Sequence, residues 1–235
     1  AMEPEPYAEL NNAFGSYNSW KNTLKVGTGL INNKYAFNAR LSRVVSDGYI
    51  ERASSNLKSF YVDGGLYTDK HILKATVFSG KERTYQSWYG TPEPLITGDY
   101  SRLEDYAANM GLYSPEEISR LKDEGRKYNY YTYDNQTDNY TQTHSHLQYT
   151  YAANDKLNLN GALHYTRGAG YYEEFRPDDK LAHYGMADVT IGSNTIKNSD
   201  LVRRRWLDNH FYGLTYSANY KPSSALNFIF GGAYN

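Results

Sequence analysis

The chain has 235 residues, no cysteine and a formal net charge of -1, which excludes thiolate metal sites, disulfides and cysteine nucleophiles and leaves no positive field to gather nucleic acid. Tyrosine alone supplies 26 residues and aromatics 16%, yet mean hydropathy is -0.77, so apolar side chains are scattered through a polar chain. No apolar run approaches the ~20 residues of a membrane helix, whereas a membrane β-strand needs only ~10 alternating ones, so spanning by helices is excluded and spanning by strands is not.

The first ten residues, AMEPEPYAEL, have neither the basic nor the apolar segment of an export signal, and Ala1-Met2 reads as extraneous to the native chain. Period-two alternation then begins. Ala8, Leu10 and Phe14 oppose Glu9 and Asn11, and Trp20, Leu24, Val26 and Leu30 oppose Lys21, Thr23 and Lys25. The clearest run, KYAFNARL from Lys34, sets Tyr35, Phe37, Ala39 and Leu41 against Asn38, Arg40 and Ser42. Phe60, Val62 and Leu66 follow against Ser59 and Asp63, then Leu73, Ala75 and Val77 against Lys74 and Thr76. After a long interruption Leu147, Tyr149 and Tyr151 oppose His144, His146 and Gln148, and Leu157, Leu159, Leu163 and Tyr165 oppose Asn158, Asn160 and His164. The last pair sets Tyr212, Leu214, Tyr216 and Tyr220 against Thr215, Ser217 and Asn219, and Leu226, Phe228, Phe230 and Tyr234 against Asn227. The count is about nine strands, nearly all antiparallel neighbours.

The connections alternate in length. Asn32-Asn33, Asp69-Lys70, Asn154-Asp155 and Lys221-Pro222-Ser223-Ser224 are tight-turn sequences, built from residues that tolerate or preset the required φ. Between them lie a modest loop around Ser46 to Asn56, a very long one around Tyr89 to Asp138 and another around Gly170 to Leu201. Strands running up and down would then place short turns on one rim and long loops on the other, as in outer-membrane barrels with short periplasmic turns and long extracellular loops. That arrangement puts lipid on the Phe37 side and a watery lumen on the Arg40 side. Sliding the Lys34 strand by one residue would turn Arg40 into hydrocarbon at a cost of about 2 to 4 kcal/mol near midplane. Trp20, Tyr49, Trp88, Tyr171, Trp206 and Tyr212 stand near strand ends, where an amphipathic ring suits the headgroup level.

Within the longest loop, SPEEISRLKDEG from Ser114 to Gly125 carries a serine N-cap, proline at the first helical position, Glu117 to complete a capping box and a terminal glycine. One short loop helix is expected there, with Ile118 and Leu121 as its small apolar stripe. The expected fold is thus all-β, an antiparallel transmembrane β-barrel segment of about nine up-and-down strands, occupying residues 1 to 235 as one partial barrel domain.

Several phrases resemble the TonB-dependent outer-membrane transporters, specifically the iron-complex receptor type common in the Bacteroidetes. They are FGSYNSWKN with GTGL (Phe14 to Leu30), RLSRVVSDGYIERASS (Arg40 to Ser55), FSGKERTYQSWYGTPE (Phe78 to Glu93), YDNQTDNYTQTH (Tyr133 to His144), LHYTRGAGYYEEF (Leu163 to Phe175) and RRRWLDNHFYG (Arg203 to Gly213). The resemblance implies a barrel of about 22 strands filled by an N-terminal plug. It also implies the cell outer membrane of a Gram-negative bacterium, contact with the lipid bilayer, and opening by the TonB energy-coupling protein through the plug. On this pattern the sequence reads as the N-terminal part of the barrel, with plug and remaining strands absent. The implied function is uptake of a scarce metal chelate, a siderophore-type iron complex or a cobalamin, without catalysis and without a cofactor of its own.

The loop aromatics are the leading candidates for holding that ligand. Trp88, Tyr89, Tyr130, Tyr131, Tyr133, Tyr171 and Tyr172 fall at expected extracellular strand ends, with Arg83, Arg203 and Arg204 as cationic donors. The same rings could serve only as a girdle and as loop packing. Other clusters carry less. His144 and His146 share a strand face, yet no third metal ligand is evident, and they read as polar lumen lining. Glu173-Glu174 and Asp178-Asp179 are adjacent in extended chain and point apart, so neither forms an acid/base couple. Asp134, Gln136 and Asp138 space oxygens as a calcium loop does, without its glycine and terminal glutamate. Asn135 and Asn139 begin glycosylation acceptor triplets that mean little in a bacterium. Gly48, Gly168 and Gly170 read as backbone devices. Two rival readings stand beside the transporter: a complete small outer-membrane barrel used for adhesion, and a soluble β-sandwich binding carbohydrate through its tyrosines and tryptophans.

Overall fold

The computed structural model describes residues 3–235; the expectation about Ala1 and Met2 lies outside the described residues. One antiparallel sheet of nine strands dominates. Its members are β1 (Tyr7–Gly15), β2 (Ser19–Gly27), β3 (Tyr35–Ser46), β4 (Ser55–Tyr67), β5 (His71–Tyr85), β6 (Thr137–Asn154), β7 (Leu157–Lys180), β10 (Asn198–Ser223) and β11 (Leu226–Tyr234). Each pairs with its neighbours in the chain, and a small hairpin, β8 (Val189–Ile191) with β9 (Asn194–Ile196), interrupts the order only as an excursion between β7 and β10. The sheet runs from β1 to β11 without closing on itself. It is therefore an open arc of an up-and-down barrel wall.

Register fixes what each side of the arc carries. Val26, Ala39, Val62 and Val77 lie opposite one another across four strands, and Leu147, Leu163, Leu214 and Tyr234 across another four. These rows occupy the open side: Leu10 is 66% and Leu41 58% exposed. The opposite side holds Thr23 and Asp63, which are 6% and 4% exposed. A water-soluble sheet buries its apolar face and wets its polar one. Here the order is inverted, because the polar side is the concave one.

Short connections define one rim at 28–34, 68–70, 155–156 and 224–225, and three of the links on the other rim are long, at 47–54, 86–136 and 181–197. The β1–β2 link at that second rim is a tight turn in which Tyr17 and Asn18 take positive φ. Asn32 and Asn33 adopt φ of 51° and 54°, the left-handed pair that asparagine accepts more readily than other side chains. Strand length grows along the chain to 26 residues in β10, on the order of 85 Å at ~3.3 Å per residue, whereas a hydrocarbon core is ~30 Å thick. The upper halves of β7 and β10 therefore stand well beyond any apolar band.

The 86–136 loop folds into more than the single helix expected from sequence. The expected one is present as α3 (Pro115–Glu124), after α1 (Glu93–Thr97) and α2 (Tyr100–Met110). Ser114 and Glu117 close the capping box in both directions, each bond at 3.1 Å. The helix count is thus corrected to three. The signal for α2 was in the sequence: Asp99 accepts from the Arg102 amide at 3.3 Å as N-cap, and Gly111 ends the helix at φ 73°. Leu103, Ala107, Leu112, Leu121 and Tyr128 form a small core inside the loop. Burying one such leucine fully contributes about 2 kcal/mol, so the loop is a packed cap with its own hydrophobic centre.

Candidate ligand site at the long-loop rim

The chain leaves β5 through Gln86 and returns to β6 through Gln136, whose carbonyl accepts from the Gln86 amide at 2.8 Å. Between these points Tyr130 donates its amide to Tyr89 at 2.9 Å, bringing two aromatic pairs together. Trp88 stands edge-on to Tyr131 and Tyr172, with ring centroids 6.4 and 6.2 Å apart. Tyr89 contacts Tyr130 at 5.8 Å and Tyr131 at 5.9 Å. Edge-to-face geometry at these distances is favourable for aromatic rings. Trp88 nevertheless keeps 64% of its surface exposed, so the cluster presents ring faces to solvent.

Two arginines hold this segment from below. Arg120 donates to the carbonyls of Asn129 and Tyr130 at 2.7 and 3.2 Å, and Arg52 to those of Tyr131 and Asn129 at 2.9 and 3.2 Å. Glu124 balances both guanidinium groups at 3.2 to 3.4 Å. Arg52 sits at φ 65°, an uncommon conformation for a long side chain, and these bonds over-determine it. Burial pushes the Tyr131 phenol up to about 12, so it stays a neutral hydroxyl. Behind Tyr131 the Tyr128 ring is wholly buried.

The sequence-predicted residues divide between two sides of the sheet. Tyr171 and Tyr172 are consecutive in β7 and Arg203 and Arg204 in β10, so each pair splits. Tyr172 joins Trp88, Tyr89 and Tyr131. Tyr171, Tyr133 and Arg204 meet around Glu173 on the other side: Arg204 Nε lies 2.6 Å and the Tyr133 hydroxyl 2.7 Å from its carboxylate. Arg204 also covers the Tyr171 ring at 4.6 Å, and Tyr171 packs on Trp206 at 4.6 Å. Burial opposes ionisation of Glu173, but hydrogen bonds from Asn135, Arg204 and Tyr133 outweigh it and hold the carboxyl below its ordinary value. Arg203 pairs with Glu174 and reaches the Tyr184 hydroxyl at 3.3 Å. Both arginines are thereby neutralised in place. Arg83 bonds the Asn135 side chain at 2.7 Å.

Arg205 is the residue that sequence reasoning passed over. It lies in register with Tyr172, its guanidinium 5.4 Å from that ring, and it makes no ion pair among the described residues. Strand parity alone would have placed it with Tyr172. The aromatic side thus carries one uncommitted cation beside exposed rings, a surface suited to flat anionic ligands.

The remaining clusters are spent on structure. His144 stacks on Phe78 at 4.4 Å and bonds Thr166 at 2.9 Å. Among the described residues no group of three His, Cys, Asp or Glu is placed to hold a metal ion. Gln136 is buried and its side-chain oxygen accepts from the Phe175 amide at 3.0 Å. Asp179 accepts from Tyr184 at 2.6 Å and His183 at 2.9 Å, and these bonds, the tyrosine's foremost, hold its carboxyl far below the usual range. Gly168 lets the Tyr140 ring lie across β7, where a Cβ would meet the phenol oxygen at 1.8 Å.

No family model and no curated protein matches the chain. Solved structures do. The siderophore receptor PiuA of Acinetobacter baumannii superposes with a TM-score of 0.68 at 10% identity, over 99% of this chain and 30% of that one. The ferric-catecholate import receptor Fiu of E. coli K12 gives 0.60 in its closed form at 13% identity, over 93% of this chain and 29% of that one. Its open form gives 0.60 at 14%, with 93% and 31% covered. The chain spans under a third of the length of these receptors and shares the fold of the part it covers.

Proposed function

We propose that this chain is part of the barrel wall of a TonB-dependent outer-membrane receptor that takes up an iron chelate. The observation that carries the reading is the inverted sheet, with Leu10 and Leu41 on its exposed side and Thr23 and Asp63 buried on the other. In water such a face would be an aggregation surface; against hydrocarbon it is the stable arrangement. The open edges of β1 and β11 need partners, and further strands of a barrel of about 22 would supply them. A closed small barrel fits the open arc poorly, and a soluble carbohydrate-binding sandwich fits the exposed apolar side poorly. On this reading the plug and its TonB contact belong to other parts of the protein.

The ligand is held passively. Trp88, Tyr89, Tyr131 and Tyr172 offer ring faces and Arg205 a cation, a combination that recognises a negatively charged chelate through its flat aromatic rings by stacking and charge. Tyr133, Tyr171, Arg203 and Arg204 shape the rim around Glu173 and Glu174. Ferric-catecholate and siderophore receptors among the structural neighbours support iron as the cargo's metal; a corrinoid has no such support. The test is uptake of labelled ferric catecholate by iron-starved cells whose sole receptor is the full-length protein carrying this chain. Trp88→Ala and Arg205→Gln should each weaken binding by about tenfold. Uptake of no ferric chelate, or variants indistinguishable from the parent, would reject the assignment.

A further inference from the structure

On the outward side of the sheet a line of cations crosses three adjacent strands. Arg43 of β3 is in register with Lys58 of β4, and Lys58 with Lys81 of β5. The row lies one strand repeat above Leu41, Phe60 and Ser79 on the same face, toward the long-loop rim. All three side chains are exposed. Among the described residues none of them forms an ion pair. Like charges directly opposite across a ladder repel, so an uninterrupted row of three destabilises the sheet unless an anion sits on it. Its flanking positions, Asn22 on β2 and Thr141 on β6, are neutral hydrogen-bonding groups.

The surroundings are shaped for an amphiphile. Leu10, Leu24, Leu41 and Phe60 line a cleft of about 500 Å³ on this face, and Asn22, Arg43, Lys58 and Lys81 line it too. The Arg43 guanidinium lies over Trp20 at 4.9 Å, within cation–π range of the ring. One strand repeat is ~6.7 Å, and the next row toward the long loops on this face holds Phe14, Trp20 and Val45, whose aromatic pair suits the headgroup level, so the cations stand at about that depth.

We propose that the row Arg43, Lys58 and Lys81 binds the headgroup of a lipid carrying two phosphates, with its acyl chains on Leu24, Leu41 and Phe60. This rests on the membrane reading given above. Strands ~4.8 Å apart spread the three charges over ~10 Å, wide enough to engage two phosphates at once, the arginine by a bidentate fork and each lysine as a point charge. A zwitterionic headgroup leaves the row's charge unbalanced.

The experiment places the full-length protein carrying this chain in phosphatidylcholine nanodiscs doped with cardiolipin, bisphosphorylated lipid A or phosphatidylglycerol, and measures retained lipid by mass spectrometry. The two-phosphate lipids should be enriched about tenfold over phosphatidylcholine, and clearly above phosphatidylglycerol. Combined Arg43→Gln, Lys58→Gln and Lys81→Gln should return the ratio to that of the bulk, and Lys58→Gln alone, at the centre, should lower it about threefold. Exposed positions and unchanged circular dichroism keep folding out of the comparison. Equal enrichment in the triple variant, equal retention of phosphatidylglycerol, or displacement by inorganic phosphate would each overturn the proposal. A spin label at Leu41 separates the two readings: relaxation by lipid-dissolved oxygen without enrichment sinks the headgroup site alone, whereas a label in water sinks both.

Discussion

The side-chain amide of Asn129 donates to the carbonyl of Glu51 at 2.9 Å, tying the loop after β5 to the loop before β4. The same amide reaches the Gln86 carbonyl at 3.1 Å, and the Asn129 oxygen accepts from the Tyr131 amide at 3.1 Å. All of this happens at a fully buried side chain. Asn129→Ala therefore strands buried polar groups, at about 1 to 3 kcal/mol each. Hydrogen exchange should accelerate across 86–136 while β3 and β4 stay protected, and ligand affinity should fall with the loosening of Tyr131. Uniform exchange across the whole sheet would mean that the residue supports the barrel and not the site.

Glu173 gives the rim an acid limit. Its folded-state carboxyl titrates below the ordinary 4.5, so the ion pair with Arg204 contributes its full stabilisation above that value and loses it as pH falls through the lower folded one. The group is buried at the long-loop end of β7, beyond the span of an apolar band. Above pH 4.5 the Tyr133–Glu173–Arg204 contacts should hold constant, and as pH falls below that value the tops of β7 and β10 should come to exchange faster. Glu173→Gln should show that faster exchange at pH 7 and abolish the acid transition. An unchanged acid transition in the variant would assign it to other carboxylates.

The strands were legible because side-chain period belongs to the backbone and not to its surroundings: Tyr35, Phe37, Ala39 and Leu41 share a face whatever covers it. The turns were legible for the same local reason, as Asn32 and Asn33 show in their positive φ. Helix α2 escaped because its interior stripe rests on Leu103 and Ala107, too small to stand out although Asp99 and Gly111 mark both ends. The site was legible in residue type but not in grouping. The alternation that parts Glu173 from Glu174 governs Tyr171-Tyr172 and Arg203-Arg204 equally, which is why Arg204 leaves the aromatic side and Arg205 enters it. Loop chain paths such as the return from Asn129 to Tyr131 depend on contacts distant in sequence, and no local pattern encodes them.

Leu121 tests whether the loop cap is an independent unit. Its side chain is fully buried among Leu103, Ala107, Leu112 and Tyr128. Leu121→Ala removes that packing and leaves a cavity, a loss of about 2 to 5 kcal/mol. Limited proteolysis should then cut within 93–127 while the paired strands remain intact and heat resistance of the sheet is unchanged. Loss of the whole sheet in parallel would show that cap and wall unfold together.

The two sides of β3 should respond oppositely to charge. Leu41 faces outward in a row with Leu24 and Phe60, while Arg40 already stands on the inner side opposite Lys25 and Tyr61. Leu41→Arg would place a guanidinium against hydrocarbon, costing about 2 to 4 kcal/mol near midplane and less toward either interface. Ser42→Arg adds the same charge one residue away, on the inner side, where it gives up the hydrogen bond with Thr23 but meets no hydrocarbon. Urea unfolding in lipid vesicles should separate the two, with Leu41→Arg lowering the midpoint clearly more than Ser42→Arg. In neutral detergent the difference should shrink, because a micelle deforms around a charge more readily than a bilayer. Equal effects in vesicles would mean that the exposed leucines meet no lipid, and the membrane assignment would have to be given up with them.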